Sequence, residues 1–362
     1  MVSPQRTVLN VKIPWRKGVV ARRERSQYMD EGPDDLLDSV LKVMRSFGEV
    51  QVLRYPDDRN SRSMDLALHV RGKGSIIVKV ASDVSDVGKA EREELKRVSA
   101  AIGVNALIVA RTRYGHELIE GVIYDVDGAK AISVETIVNA ALSEEYPAIY
   151  EDKDGFKVKL RGDVLRAIRL SKGYSLGAAA ERLKVARRTV YDYEREAIRP
   201  TIDVAERLLE EFGDEIIRPI NLFDPNEDVV AAKVSRPEGL PVDSKVESII
   251  VEKLRALGYR FTHAKRSPLD IAASKGDFKL FITVPHPREG TRLVSERSEN
   301  MVRLAMTLSG RGYVVVERDR LDEARKLVDD PDSVLTIDEL DEYLGEPSGA
   351  KGAGGNRQAR GW

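Results

Sequence analysis

The stretch LKVARRTVYDYERE, residues 183–196, places two adjacent arginines after a short turn of small residues and then alternates aromatic with acidic side chains. Val190 and Tyr193 stand three apart and face inward on one helical face. Upstream, GDVLRAIRLSKGY (162–174) reads as a helix, with Val164, Leu165, Ile168 and Leu170 on or near its apolar face. SLGAAAERL (175–183) reads as a second helix, with Ser175 placed to cap its first turn. Ala179 and Ala180 are small where this helix must cross closely over the next. Lys184-Val185-Ala186 forms the turn, with Val185 plugging the core and Lys184 facing solvent. RPTIDVAERLLEEF (199–212) is a fourth helix with Ile202, Ala205, Leu208 and Leu209 inward.

Charge singles out the same region. The chain has 362 residues and a formal net charge of -1. Between Lys157 and Arg199, twelve Lys and Arg face five Asp and Glu, a local net of +7 that leaves -8 for the rest. A basic segment inside an acidic chain points to a polyanion site. With no cysteine, disulfide scaffolds, thiol nucleophiles and Cys-ligated zinc are excluded. No apolar run reaches the 18 or so residues that a membrane span needs, and the first 30 residues hold no apolar signal core. These features give the expectation of a cytoplasmic protein that does not engage a membrane.

At this length two or three domains are expected. Residues 1–33 read as a basic N-terminal arm, within which Met29 offers a second start. From 34 to 145 the pattern is α/β. Leu37, Val40, Leu41, Met44 and Phe47 keep helical spacing, SMDLALHV and SIIVKVAS are strands joined by the RGKG turn, and a charged helix spans roughly 86–102. NALIVA is a buried strand, and AISVETIVNAAL closes the unit. The same order of elements returns at 244–345: VESIIVEKLRALG corresponds to LLDSVLKVMRSFG, LDIAASKGDFKLFITV to MDLALHVRGKGSIIVKV, and GYVVV to ALIVA. Proline-containing stretches at 146–158 and 224–243 read as linkers around a helical unit at 159–223, and the Gly-rich tail 346–362 reads as disordered.

The helical unit resembles the lambda-repressor/Cro-like helix-turn-helix over about residues 160–212. Ser175, Ala180, Leu183, Val185, Ala186, Thr189, Val190, Tyr193, Glu194 and Pro200 stand where that family places comparable residues. Lys184 departs from the glycine that the family usually has in the turn. By this resemblance the third helix enters the major groove of double-stranded DNA, and Ala186, Arg187, Arg188 and Asp192 take the groove-facing positions. Arginine matches the two acceptors of guanine, so Arg187 and Arg188 are the candidates for base readout, with Asp192 orienting an arginine. Ser175, Lys184, Thr189, Tyr191 and Arg195 are candidates for phosphate contacts, which position without specifying.

The flanking α/β units resemble the restriction-endonuclease-like, PD-(D/E)xK, core. Asp65 and Asp270 fall at its first metal-binding position and Lys79 at its lysine. The acidic position, however, is Ile77 in the first unit and Phe281 in the second, and Thr283 replaces the lysine there. A magnesium site needs clustered oxygen ligands, so the expectation is that neither unit cuts DNA and that the chain is not an enzyme. The four histidines (69, 116, 263, 286) are scattered and read as surface or loop residues, and RGKGS lacks the Lys-Ser/Thr of a phosphate loop. No cofactor or metal is called for, and nothing specifies a small-molecule effector.

The arrangement as a whole, a helix-turn-helix domain between two similar α/β domains, resembles the archaeal HTH-type transcriptional regulators. That implies sequence-specific DNA binding, and reading enough base pairs calls for a homodimer on a two-fold operator. Two alternatives are a metal-dependent nuclease targeted by the helix-turn-helix and a nucleoid protein indifferent to sequence.

Overall fold

The computed structural model describes residues 33–224, 244–286 and 288–344. The basic arm, most of the 224–243 linker and the Gly-rich tail lie outside the described residues.

The first unit opens with helix α1 (Pro33–Met44) and strands β1 (Glu49–Val52), β2 (Leu66–Val70) and β3 (Gly74–Asp83). Helix α2 (Lys89–Ile102) leads into β4 (Asn105–Arg113) and the short β5 (His116–Glu117). β6 (Val122–Val126), β7 (Ala129–Ser133) and α3 (Val134–Leu142) follow. Gly103 at φ 64° ends α2 in the left-handed region, where a glycine carries no Cβ penalty. The stretch 146–158, which composition suggests as a linker, is instead two strands, β8 (Ile149–Asp152) and β9 (Gly155–Val158). Ile149 and Tyr150 are buried, and β8 pairs in parallel with β6. The sheet runs β1-β2-β3-β4-β7-β6-β8-β9, with β5 on β4.

Four helices follow: α4 (Gly162–Ser171), α5 (Leu176–Leu183), α6 (Arg187–Glu194) and α7 (Ile202–Phe212). Leu165, Leu183, Val190, Tyr193, Leu208 and Phe212 form their core. Leu170 stays outside it at 57% exposed.

The last unit comprises α8 (Lys245–Ala256), β10 (Arg260–His263), β11 (Ile271–Lys275), β12 (Phe278–Thr283) and α9 (Thr291–Thr307). β13 (Arg311–Val316), α10 (Leu321–Arg325), β14 (Val334–Thr336) and α11 (Ile337–Leu344) complete it. Its sheet, β10-β11-β12-β13-β14, repeats the order and sense of β1-β2-β3-β4-β7: two antiparallel pairs, then two parallel ones. The correspondence extends to single bonds. The N–H of Asp65 donates to Val78 O and that of Asp270 to Ile282 O, both at 2.8 Å. The carbonyls of the two aspartates accept from Leu53 and Ala264. His263, on β10, is buried beside Glu247 at 3.6 Å, not at the surface as the sequence suggests.

Alternation along the strands explains how the sheets are layered. Leu66, Leu68, Ile76 and Val78 face α1 and α3, together with Ile220, Leu222 and Phe223. Leu280, Ile282 and Val315 face α8 and α11. The opposite faces, with Ala67 and Ile77 on one sheet and Ala272 and Phe281 on the other, meet in one shared core with Leu95, Val98, Met301 and Leu304 from α2 and α9. The seam is also hydrogen-bonded. The buried Glu94 of α2 accepts from Ser63 Oγ (2.9 Å) in the first unit and from the N–H groups of Lys265 (2.8 Å) and Arg266 (2.9 Å) in the last.

Candidate nucleic-acid interface

The exposed face of α6 is held in place by the turn before it. Ser175 caps α5, its Oγ accepting from the Ala178 N–H at 3.1 Å. Lys184 ends α5 at φ 53°, ψ 45°, so the lysine adopts the left-handed conformation for which the family uses glycine. The Val185 N–H then donates to Ala180 O at 3.0 Å, which draws the turn tight over the buried Ala179 and Ala180. Gly162 lets the start of α4 reach the end of α6, since a Cβ there would lie 2.4 Å from Glu194 O.

With Val190 and Tyr193 buried, α6 turns its other side outward. Ala186, Arg187, Arg188, Tyr191 and Arg195 are exposed, Thr189 and Asp192 half-buried. Asp192 pairs with Arg188 at 3.0 Å. The guanidinium groups of Arg188 and Arg195 both lie over the Tyr191 ring, 5.1 and 5.5 Å from its centre, and Arg195 donates to the Tyr191 hydroxyl at 3.1 Å. Arg187 makes no hydrogen bond or ion pair among the described residues. Ser175 and Lys184 lie exposed on the neighbouring cap and turn.

The motif also has a buried ion pair. Arg169 of α4 bonds both carboxylate oxygens of Glu194 and donates to Tyr174 O at 2.7 Å. Its signal was in the spacing: Arg169 is four residues after Leu165 and Glu194 four after Val190, so both are charges at core-facing positions. Sequence reasoning also missed the attachment of the motif to the first sheet. Val158 N–H donates to Pro200 O (2.9 Å), Arg161 N–H to Ile216 O (2.7 Å) and Arg218 N–H to Lys159 O (3.0 Å). Arg199 lies 4.3 Å over the Tyr150 ring, and Asn105 Nδ2 donates to Leu222 O and Asp224 O. The helices are therefore fastened to the sheet at entry and exit.

In the α/β units, Asp65 and Lys79 come together. Asp65 is fully buried; its Oδ2 accepts the Val80 N–H at 2.8 Å and lies 3.3 Å from Lys79 Nζ. Burial pulls the Lys79 ammonium below its usual range, with Asp65 opposing. In the last unit Thr283 donates to Pro268 O instead, and the cation comes from α9: Arg297 bonds Asp270 and Glu289 and stacks on Tyr55 of the first unit.

Residues 165–215 match the family model described as Helix-turn-helix, and residues 33–147 match that of the PD-(D/E)XK superfamily domain. A protein of Aeropyrum pernix named "Putative HTH-type transcriptional regulatory protein" is 32% identical over 311 residues, covering 84% of this chain and 91% of the relative. The chain belongs to that family. Proteins also named as putative HTH-type transcriptional regulatory proteins, from Thermococcus kodakarensis (26% identical, 74% of this chain and 82% of the relative) and Methanocaldococcus jannaschii (29%, 67% and 75%), are similar to it as well. No solved structure matches the chain.

One expectation is corrected for this member of the HTH-type regulators. The loss of the second acid at Ile77 and Phe281 suggests a chain without enzymatic activity, but the match at residues 33–147 is to a nuclease superfamily and points to nuclease activity. The side chains around Asp65 do not by themselves make a cage for Mg²⁺. Both carboxylate oxygens face Lys79, and Ile77 is packed in the shared core. Among the described residues, no group of three or more His, Asp or Glu could hold a metal ion. Nor, among them, is any helix long and apolar enough to cross a membrane.

Proposed function

We propose that the chain is a sequence-specific DNA-binding regulator of transcription, reading the major groove through α6. The observation that carries this reading is the outward edge of α6, where Arg187 and Arg188 stand exposed on a helix whose opposite face is buried, within a segment of net charge +7. Arg187, with no partner among the described residues, meets a guanine edge directly. Arg188, already oriented by Asp192 and Tyr191, presents a pre-set guanidinium. Lys184, Ser175, Thr189, Tyr191 and Arg195 anchor the phosphates on either side. The flanking α/β units are copies of one restriction-endonuclease-like domain, a reading supported by their matching strand order. Two chains occupy a two-fold operator, because one motif reads too few base pairs to specify a site.

Selection of bound duplexes from a random pool tests this, run on wild type and on Arg187→Ala/Arg188→Ala with Mg²⁺ present and fragment ends monitored. A recurring two-fold motif lost in the double variant is the expected result; binding without any motif overturns it in favour of a nucleoid role. A complex of one chain per duplex, by light scattering, overturns the dimer.

The superfamily match and the Asp65–Lys79 pair favour a second reading, cleavage of the bound DNA. Its signature is new ends that require Mg²⁺ and vanish in Lys79→Met, with folding checked by circular dichroism.

A further inference from the structure

Among the described residues, Tyr114 is the most exposed large hydrophobic side chain, at 72%. It occupies the tip of the hairpin β4–β5, with Tyr114 at φ 51° and Gly115 at φ 74°. A two-residue turn with both φ positive favours Asn-Gly or Asp-Gly, so a tyrosine at its first position is a poor choice for the turn itself. The fold nevertheless holds it there. Asp83, at the end of β3, accepts from the N–H groups of Tyr114 (3.0 Å) and Gly115 (2.8 Å), from Thr112 Oγ1 (2.8 Å), and from Ser85 N–H (2.8 Å) and Oγ (2.6 Å). Burial alone would raise the Asp83 pKa, but the bonds from Gly115, Ser85 and Thr112 hold it well below the ordinary carboxylate range. Backbone strain persists where surrounding structure over-determines it, and such places cluster at functional sites.

We propose that this tip is a second DNA contact, with Tyr114 and Arg113 lying against the sugar-phosphate backbone that flanks the groove read by α6. The proposal rests on the reading of α6 above. Two observations carry it. The tip is continuous with the helix-turn-helix: Arg113 bonds Glu151 of β8, the preceding residue Tyr150 lies under Arg199, and Val158 of β9 bonds Pro200, six residues beyond the end of α6. Its chemistry suits a phosphate backbone. The Arg113 guanidinium lies 5.7 Å over the Tyr114 ring. A phenol and a guanidinium both donate to phosphate oxygens, while the ring packs on sugar.

The test uses the full chain and the duplex recovered by selection, comparing wild type with Tyr114→Gly. Glycine keeps the positive-φ turn and removes only the side chain, and matching circular dichroism confirms the fold. Tyr114→Gly is expected to weaken binding about tenfold, the size of one charge-assisted hydrogen bond. The selected motif should stay unchanged, and hydroxyl-radical protection should be lost on the flanking backbone alone. If Tyr114→Gly binds and protects as wild type does while Arg187→Ala/Arg188→Ala loses the motif, the tip is not a DNA contact and the reading of α6 stands. Absence of duplex binding by wild type overturns both.

Discussion

Lys184 holds a backbone conformation that a residue with a Cβ adopts at a cost. Its left-handed backbone costs roughly 1–2 kcal/mol for a residue with a Cβ, and glycine would remove that cost at the expense of greater freedom in the unfolded chain. Lys184→Gly is therefore expected to raise stability by roughly 0.5–1 kcal/mol in chemical denaturation. On the proposed reading of α6 and its turn, the same change removes one cation from the phosphate contacts. The slope of log affinity against log salt should drop by about 1 with the selected motif intact; an unchanged slope would remove Lys184 from the contact set. Arg169 and Glu194 make the contrasting case, since both side chains are under a tenth exposed. Arg169→Ala leaves a buried carboxylate unpaired and is expected to cost about 3–5 kcal/mol, measured by the same denaturation. A much smaller loss would mean that Glu194 reaches water.

At the scale of elements, the helices and turns of the DNA-binding unit were legible because their signals are local. Ser175 caps, Gly and Pro punctuate, and apolar residues recur three or four apart over each short helix. The hairpin β8–β9 was not. Its turn, DKDG, and Pro147 look like linker chemistry, and its strand status depends on pairing with β6, some 27 residues away. The β4–β5 tip is likewise set by a distant residue. The depressed pKa of Asp83 means that its contribution to stability is present above the ordinary carboxylate pKa and fades as pH falls below it. Asp83→Asn, which cannot titrate, should therefore be less stable than wild type at pH 7, with the gap closing below about pH 4. A gap that stays constant from pH 7 to pH 3 would show that charge on Asp83 does not hold the turn.

On the scale of the whole molecule, the two α/β units fold around each other's helices. Phe281, Met301 and Leu304 of the last unit share a core with Ile77, Leu95 and Val98 of the first, so neither sheet is covered on both faces alone. Calorimetry of the full chain should show the two units melting in one transition; two separate α/β transitions would mean that the seam contributes little. Glu94→Ala strips an acceptor from Ser63 Oγ and two backbone N–H groups and is expected to cost about 3 kcal/mol.

The amino-acid sequence by itself determined the helix-turn-helix, the capping by Ser175, the outward arginines of α6 and the repeated α/β pattern, because each depends on residues close together in the chain. Only the tertiary structure decided that Arg297 takes the place of the lysine missing at Thr283, and that the motif is fastened to the first sheet. It also decided that the two units share one core. These features depend on which strand faces meet between segments far apart in the chain, and neither periodicity nor local chemistry encodes that meeting.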